Sequence, residues 1–503
     1  MTRRMGAAAA IIALCVGAGV AVSAQQWPKS SLPPPLPARS VAFPPYEIRT
    51  LPNGLQVVVV LHHEQPSVTF RLLIRAGAMQ EPADKPGVAS FVASLLNQGT
   101  SSRSAGEIAD AIESAGGSLG TGSGNELSFI NGVVIKDQVD LLLGLVADMV
   151  EHPAFAPDEI DRQRRQMLSS LQVSYDDPDY LADLVLDRLV FGAHPYGRPS
   201  DGTPESVGRI TRDDLVNFER TWFVPNNALL AVVGDLTSDE AFAAVDRAFG
   251  TWARRNVPAV APVDPPTPAR RVIVIDRPGS AQTEIRIGQL GVPRTHPDYL
   301  PFDLAVRILG GEGANRLFGV LRTDRGLTYG ASADVRAYKN AGLIVAETDT
   351  RSPATAQALR LMVDEYARLQ HEPVDARELR GAQDFVSGNF PLSIETPSSI
   401  AEQVLSRLFY GQDPKELETY RDRVDRVSVA DISRVTRELL KPDQLAIVLV
   451  GDASAFVGDL KTLGFGEFER IPIAQLDLNS LTLKRPPSFG PVRPGPRPAL
   501  PPA

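Results

Sequence analysis

Segments of this chain recur in order at a nearly constant spacing, and that recurrence limits the fold more than any other feature. Ile210-Thr-Arg-Asp-Asp-Leu215, Val224-Pro225 and Val233-Gly-Asp235 have counterparts in Val427-Ser-Val-Ala-Asp-Ile432, Lys441-Pro442 and Val450-Gly-Asp452, each 217 residues further on. Upstream, Glu159, Pro178 and Leu189-Val-Phe-Gly192 match Glu378, Pro397 and Leu408-Phe-Tyr-Gly411 at an offset of 219. The chain therefore reads as two copies of one unit of roughly 210 residues, a period too long for a solenoid. Each copy opens on strands rich in branched residues, 55–61 and 68–74 in the first, 271–275 and 284–287 in the second. Helical patterns follow in the first copy at 104–114, 138–152 and 158–172, with alternation through Gly and Ser over 118–131. Runs of strands beside runs of helices predict an α+β fold, each half an antiparallel sheet packed with helices, and argue against an alternating βαβ pattern.

Proline-rich stretches mark the boundaries. We place an N-terminal half at 47–256, a stiff linker at 257–269, a C-terminal half at 270–480 and a proline-rich tail at 481–503 carrying Arg485, Arg493 and Arg497. Residues 25–46 form a proline-rich lead-in, and 1–24 read as a secretory signal: Arg3-Arg4, an apolar run, then Val22-Ser-Ala24 as the cleavage site. Cleavage would leave no stable membrane span. It would also remove Cys15, the only cysteine, which excludes thiolate metal sites and cysteine catalysis in the mature chain. The net charge of −9, which loss of Arg3 and Arg4 takes to −11, argues against nucleic acid as a partner.

Pro86 and Gly87 open a run with Ala89, Val92, Leu95 and Leu96 at helical spacing, and Gly99 closes it, so 88–97 is expected to be a buried helix. Ser90, Ala93 and Ser94 stand at i, i+3 and i+4 on one face of it. With Gly-Val-Ala before and Leu-Leu-x-x-Gly-Thr after, this frame resembles the metal-binding helix of the pitrilysin and insulinase type of zinc peptidase, in its processing-peptidase branch. In that family the same face carries His-x-x-Glu-His, two imidazoles for zinc and a carboxylate that activates water. The family's last ligand, a glutamate on a later helix, falls by this resemblance in Gln166-Met-Leu-Ser-Ser-Leu171, where Ser169 and Ser170 occupy the place. Neutral hydroxyls are poor zinc ligands, and a methyl neither binds metal nor moves a proton. The resemblance thus implies the family frame without its metal, over roughly residues 47–470, as two halves facing each other like a clam shell around a polar chamber.

Leu321-Arg-Thr-Asp-Arg-Gly-Leu-Thr-Tyr329 resembles the segment of the family's second half in which an arginine and a tyrosine hold substrate peptide near the zinc, which implies substrate contact for Arg322 and Tyr329. A guanidinium forks onto a carbonyl or carboxylate, and a phenol donates to a developing oxyanion. His194-Pro-Tyr-Gly-Arg-Pro199, Gly202-Thr-Pro-Glu205 and Trp222-Phe-Val-Pro-Asn-Asn227 also match family letters and read as turns and helix starts, with Thr203 as an N-cap and Pro204 behind it. Gly310-Gly-Glu-Gly-Ala-Asn-Arg316 reads as a turn feeding a helix over 314–323, since it lacks the ending of a phosphate loop. His62 and His63 are adjacent and point to opposite faces of a strand end, and the other histidines are isolated.

The expectation is an exported, zinc-free subunit with no cofactor of its own, pairing with a zinc-bearing homologous peptidase subunit and gripping the peptide substrate that the partner cuts. The alternative is a structural or peptide-binding subunit with no part in proteolysis.

Overall fold

The computed structural model describes residues 42–485, apart from 262, 312 and 314. The leader at 1–24, most of the lead-in and the tail beyond 485 lie outside the described residues. In the N-terminal half, β1 (Tyr46–Thr50), β2 (Gln56–Leu61), β3 (Ser67–Ile74), β4 (Ser118–Ser123), β5 (Ser128–Ile135) and β6 (Ala228–Gly234) form one sheet in the order β1-β2-β6-β3-β5-β4. In the C-terminal half, β7 (Arg271–Asp276), β8 (Gln282–Gly291), β9 (Ala331–Ala337), β10 (Gly342–Arg351), β11 (Ala446–Gly451) and β12 (Glu469–Pro472) form a second, in the order β12-β7-β11-β8-β10-β9. The expected α+β architecture of two like halves is what the chain adopts.

The sheets are mixed, not purely antiparallel. β2 runs parallel to β6, and β7 runs parallel to both β11 and β12. The chain reaches β6 and β11 after long helical excursions, which permit a parallel return that strand composition alone does not signal. The outer strand also differs between the halves. β1 precedes β2 and pairs with it antiparallel, whereas β12 arrives from the end of its half.

The helices that matter to the site are, in the first half, α1 (Val88–Leu95), α2 (Ala105–Ser114), α3 (Val139–Glu151), α4 (Pro157–Asp176), α5 (Pro178–Phe191), α6 (Arg212–Trp222) and α7 (Ser238–Phe249). In the second they are α8 (Tyr299–Gly310), α9 (Thr355–His371), α10 (Ala376–Asn389), α11 (Pro397–Phe409) and α12 (Val429–Leu439). Helix α1 ends at Leu95, two residues short of the expected 97; Gly99 takes a positive φ of 114° in the bend beyond it. The helix expected over 314–323 is a short turn at Arg316–Phe318 that widens into π geometry over Gly319–Asp324.

The central strands are apolar on both faces because each sheet is covered twice. Val57 and Val59 of β2 and Leu230 and Val232 of β6 face the half's own helices, while Val58, Val60, Leu229, Ala231 and Val233 face α11 of the other half. Reciprocally, Ile447 and Leu449 of β11 face their own half, and Val448 and Val450 pack with Leu181, Val185 and Leu186 of α5. Each such fully buried valine, leucine or isoleucine contributes roughly 1.5–3 kcal/mol, so the exchanged helices clasp the halves together. A cavity of 780 Å3 lies on the C-terminal sheet beside α5. Among the described residues no helix is long and apolar enough to cross a membrane.

Candidate functional site

Helix α1 is held at its start by a buried acid. Glu81, 6% exposed, accepts the backbone N–H groups of Gly87 (3.0 Å) and Ala89 (2.8 Å), two donors that a helix start leaves without intrahelical partners. Burial, only partly offset by those two bonds, pushes its carboxyl up to about 8. Gly87 sits at φ 95°, and a Cβ there would lie 2.9 Å from the Asp201 carbonyl oxygen, so the helix start abuts the 199–206 turn. Ser206 Oγ seals that contact by donating to the Pro86 carbonyl at 2.8 Å. Thr203 is the expected N-cap, accepting from the Ser206 N–H at 3.2 Å.

This packing fixes the face read from the sequence. Ser90 donates to the Asp201 carboxylate at 3.0 Å, Ser94 donates back to the Phe91 carbonyl at 2.8 Å, and Ala93 is fully buried. Ser169 and Ser170 are exposed on α4. Helix α4 meets α1 through Arg164, whose guanidinium lies 5.2 Å from the Phe91 ring centroid and donates to the Ile210 carbonyl at 2.8 Å. Two hydroxyls, a methyl and two further hydroxyls on α4 do not fit zinc, which takes imidazole, thiolate or carboxylate. Asp201 adds one carboxylate, and among the described residues no three His, Cys, Asp or Glu side chains gather as a metal would require.

Sequence reading missed Asp201, because the turn that carries it looks structural and only the fold brings it to Ser90. Tyr175 and Tyr180 were missed too. Their ring centroids lie 6.1 Å apart, burial pushes Tyr180 up to about 12 with Asp201 adding to the effect, and the buried Tyr175 hydroxyl has no partner among the described residues.

The second predicted pair lies on the other half. Arg322 comes from the π-helical segment, donates to the Thr328 carbonyl at 3.2 Å, and stacks with its guanidinium carbon 4.9 Å from the Tyr329 ring centroid. Tyr329 is 81% exposed. The strand start that displays it is pinned by Thr350 Oγ1 donating to the Leu327 carbonyl at 2.8 Å and Thr348 Oγ1 donating to the Gly330 carbonyl at 2.7 Å. Among the described residues, no hydrogen bond or ion pair joins this pair to the α1 face.

The 780 Å3 cavity opens beside the same segment. Its wall includes Arg286, 2% exposed, whose guanidinium is bound by Asp183 at 2.9 Å, by Asp179, and more loosely by Glu284 at 3.4 Å and Glu347 at 3.5 Å. Burial pushes Glu284 up to about 7 despite that guanidinium. His63, read as one of two adjacent strand-end histidines, pairs with Asp235 at 2.6 Å.

Two like α+β halves, each sheet roofed by a helix of the other, define the class: a duplicated peptidase-type scaffold with a helix face on one half and an arginine–tyrosine pair on the other. Two family profiles match in the same order, "Insulinase (Peptidase family M16)" over residues 56–202 and "Peptidase M16 inactive domain" over 209–385. The chain belongs to the insulinase-type M16 peptidase family. Relatives include an uncharacterized zinc protease of Mycobacterium leprae, 28% identical over 80% of this chain and 90% of its own length. Another from Mycobacterium tuberculosis is 29% identical over 82% of this chain and 96% of its own. Among solved structures, a peptidase M16 inactive domain from Pseudomonas fluorescens superposes with a TM-score of 0.76 at 28% identity, covering 81% of this chain and 98% of that one. The first half of the periplasmic protease PqqL from Escherichia coli shares the fold, with a TM-score of 0.68 at 16% identity over 82% of this chain and 94% of its own.

Proposed function

We propose that this chain is the zinc-free, substrate-gripping subunit of an exported heteromeric M16 peptidase, in which a zinc-bearing homologue supplies the hydrolytic site. The observation that carries the reading is a contrast between the two halves. The α1 face offers Ser90, Ala93 and Ser94, with both hydroxyls already engaged, whereas Arg322 and Tyr329 are exposed and mutually stacked on a pinned strand start. A guanidinium and a phenol in that state are available to a peptide carbonyl or carboxylate without refolding of the scaffold. Export is favoured by the leader composition and is compatible with a structural neighbour that is itself called periplasmic.

The test is reconstitution with a zinc-bearing M16 homologue encoded in the same genome. Hydrolysis of a quenched fluorescent peptide is expected only in the mixture, and Arg322→Ala or Tyr329→Ala is expected to lower kcat/KM by about 10–100-fold. Equal rates with and without this chain would refute the reading.

A further inference from the structure

A second cavity, of about 270 Å3, lies at the seam between the halves and has no part in the reading above. Arg75, the residue that follows β3, lines it, and among the described residues its guanidinium makes no hydrogen bond and no ion pair. Burial alone pulls Arg75 below the usual arginine range, with no carboxylate acting on it. A half-buried cation without a partner is costly to the fold, and a bound anion would remove that cost.

Gln80 and Lys339 bring donors to the same cavity. Gln80 spends its Oε1 on the Gly77 N–H at 2.8 Å, which leaves its amide NH2 for the cavity. Lys339 enters from the other half, its backbone N–H fixed on Glu126 Oε1 at 2.9 Å. Glu126 also lines the cavity, but its carboxylate is already occupied by that N–H and by the hydroxyls of Tyr196 and Tyr410. Asn227 and Asn340 also line it, and the rest of the wall is apolar, Trp222 and Val260 included. The volume falls just below that of drug-sized sites, which selects a ligand of roughly a dozen heavy atoms.

We propose that this seam cavity binds a small organic carboxylate with a short apolar body, its carboxylate between Arg75 and Lys339 and its body against Trp222 and Val260. The chemistry is shared by a free branched-chain acid and by the C-terminal residue of a peptide. Because Arg75 and Gln80 belong to one half and Lys339 to the other, the ligand bridges both and stabilises the joined state by mass action.

The test is isothermal titration and thermal shift on the full chain with N-acetyl-leucine, isocaproate, a tetrapeptide ending in leucine, N-acetyl-leucinamide and phosphate. At least one of the three carboxylates is expected to bind saturably and raise Tm, while the amide and phosphate do not. Preference for isocaproate or for the tetrapeptide identifies the source. Arg75→Met is expected to weaken binding by at least tenfold, as loss of a charge-assisted contact does, with Lys339→Gln following in the same direction. Unliganded Arg75→Met is expected to melt no lower than the parent, because it removes an unpaired charge. No saturable binding by any carboxylate, equal binding by the amide or by phosphate, or unchanged affinity in Arg75→Met would each overturn the proposal.

Discussion

Removing the Glu81 carboxylate tests whether a buried acid holds the helix that carries the site. In Glu81→Ala the N–H groups of Gly87 and Ala89 lose acceptors at 3.0 and 2.8 Å in a place water does not reach. Each stranded donor costs about 1–3 kcal/mol, so the variant should lose roughly 2–6 kcal/mol at pH 6. The titration of Glu81 gives a second, independent signature. Its carboxyl is raised from the unfolded value of 4.5 to about 8, so the folded state binds the proton more tightly than the unfolded one. The contribution is therefore full below pH 4.5 and is lost as pH rises through 8, at up to about 1.4 kcal/mol per pH unit. Asp187, Glu219 and Glu284 are each raised to about 7 by burial and add slope of the same sign, so the diagnostic quantity is the difference between parent and variant. Urea unfolding followed by tryptophan fluorescence reports on this half, since Trp222 and Trp252 both lie in its core. A Glu81→Ala protein within 1 kcal/mol of the parent, and with the same loss of stability between pH 5 and 8, would refute the reasoning.

Other outcomes follow from the same geometry. Arg286→Met removes the cation among Asp179, Asp183, Glu284 and Glu347; it should cost about 3–5 kcal/mol at pH 8 and less at pH 5, where Glu284, raised to about 7, is protonated, read by thermal melts at both pH values. Arg322→Ala and Tyr329→Ala should stay within about 0.5 kcal/mol of the parent in urea, so that any loss of activity in the reconstituted mixture is loss of substrate contact. Ala93→Glu, which restores one family letter, buries a carboxylate at a fully covered position and should cost about 3 kcal/mol or more by the same measure.

Much of the fold was legible because the duplication is written in the letters. The segments offset by 217 become α6 and α12 with the central strands β6 and β11, and those offset by 219 become α4 and α5 in the first half and α10 and α11 in the second. What those letters do not carry is which sheet α5 and α11 cover: exchange between halves depends on tertiary packing, and an apolar helix face reads the same whichever sheet it meets. Parallel pairing at β2–β6 and the π segment at Gly319–Asp324 were illegible for similar reasons, one being set by a distant return of the chain and the other by a local widening with no composition signal. At the site, the face of Ser90, Ala93 and Ser94 followed from helical spacing, and the stacked Arg322–Tyr329 pair came from the resemblance. Asp201 and Glu81 did not, because each reaches α1 only through loop packing, and Tyr175 did not, because its place beside Tyr180 depends on how α4 turns into α5.

The most direct measurement is zinc content of the lone chain after chelator washing and zinc reloading, taken together with its peptidase activity. The account expects no stoichiometric zinc and no hydrolysis until a zinc-bearing homologue is added. One tightly held zinc per chain accompanied by hydrolysis from the lone protein would contradict it.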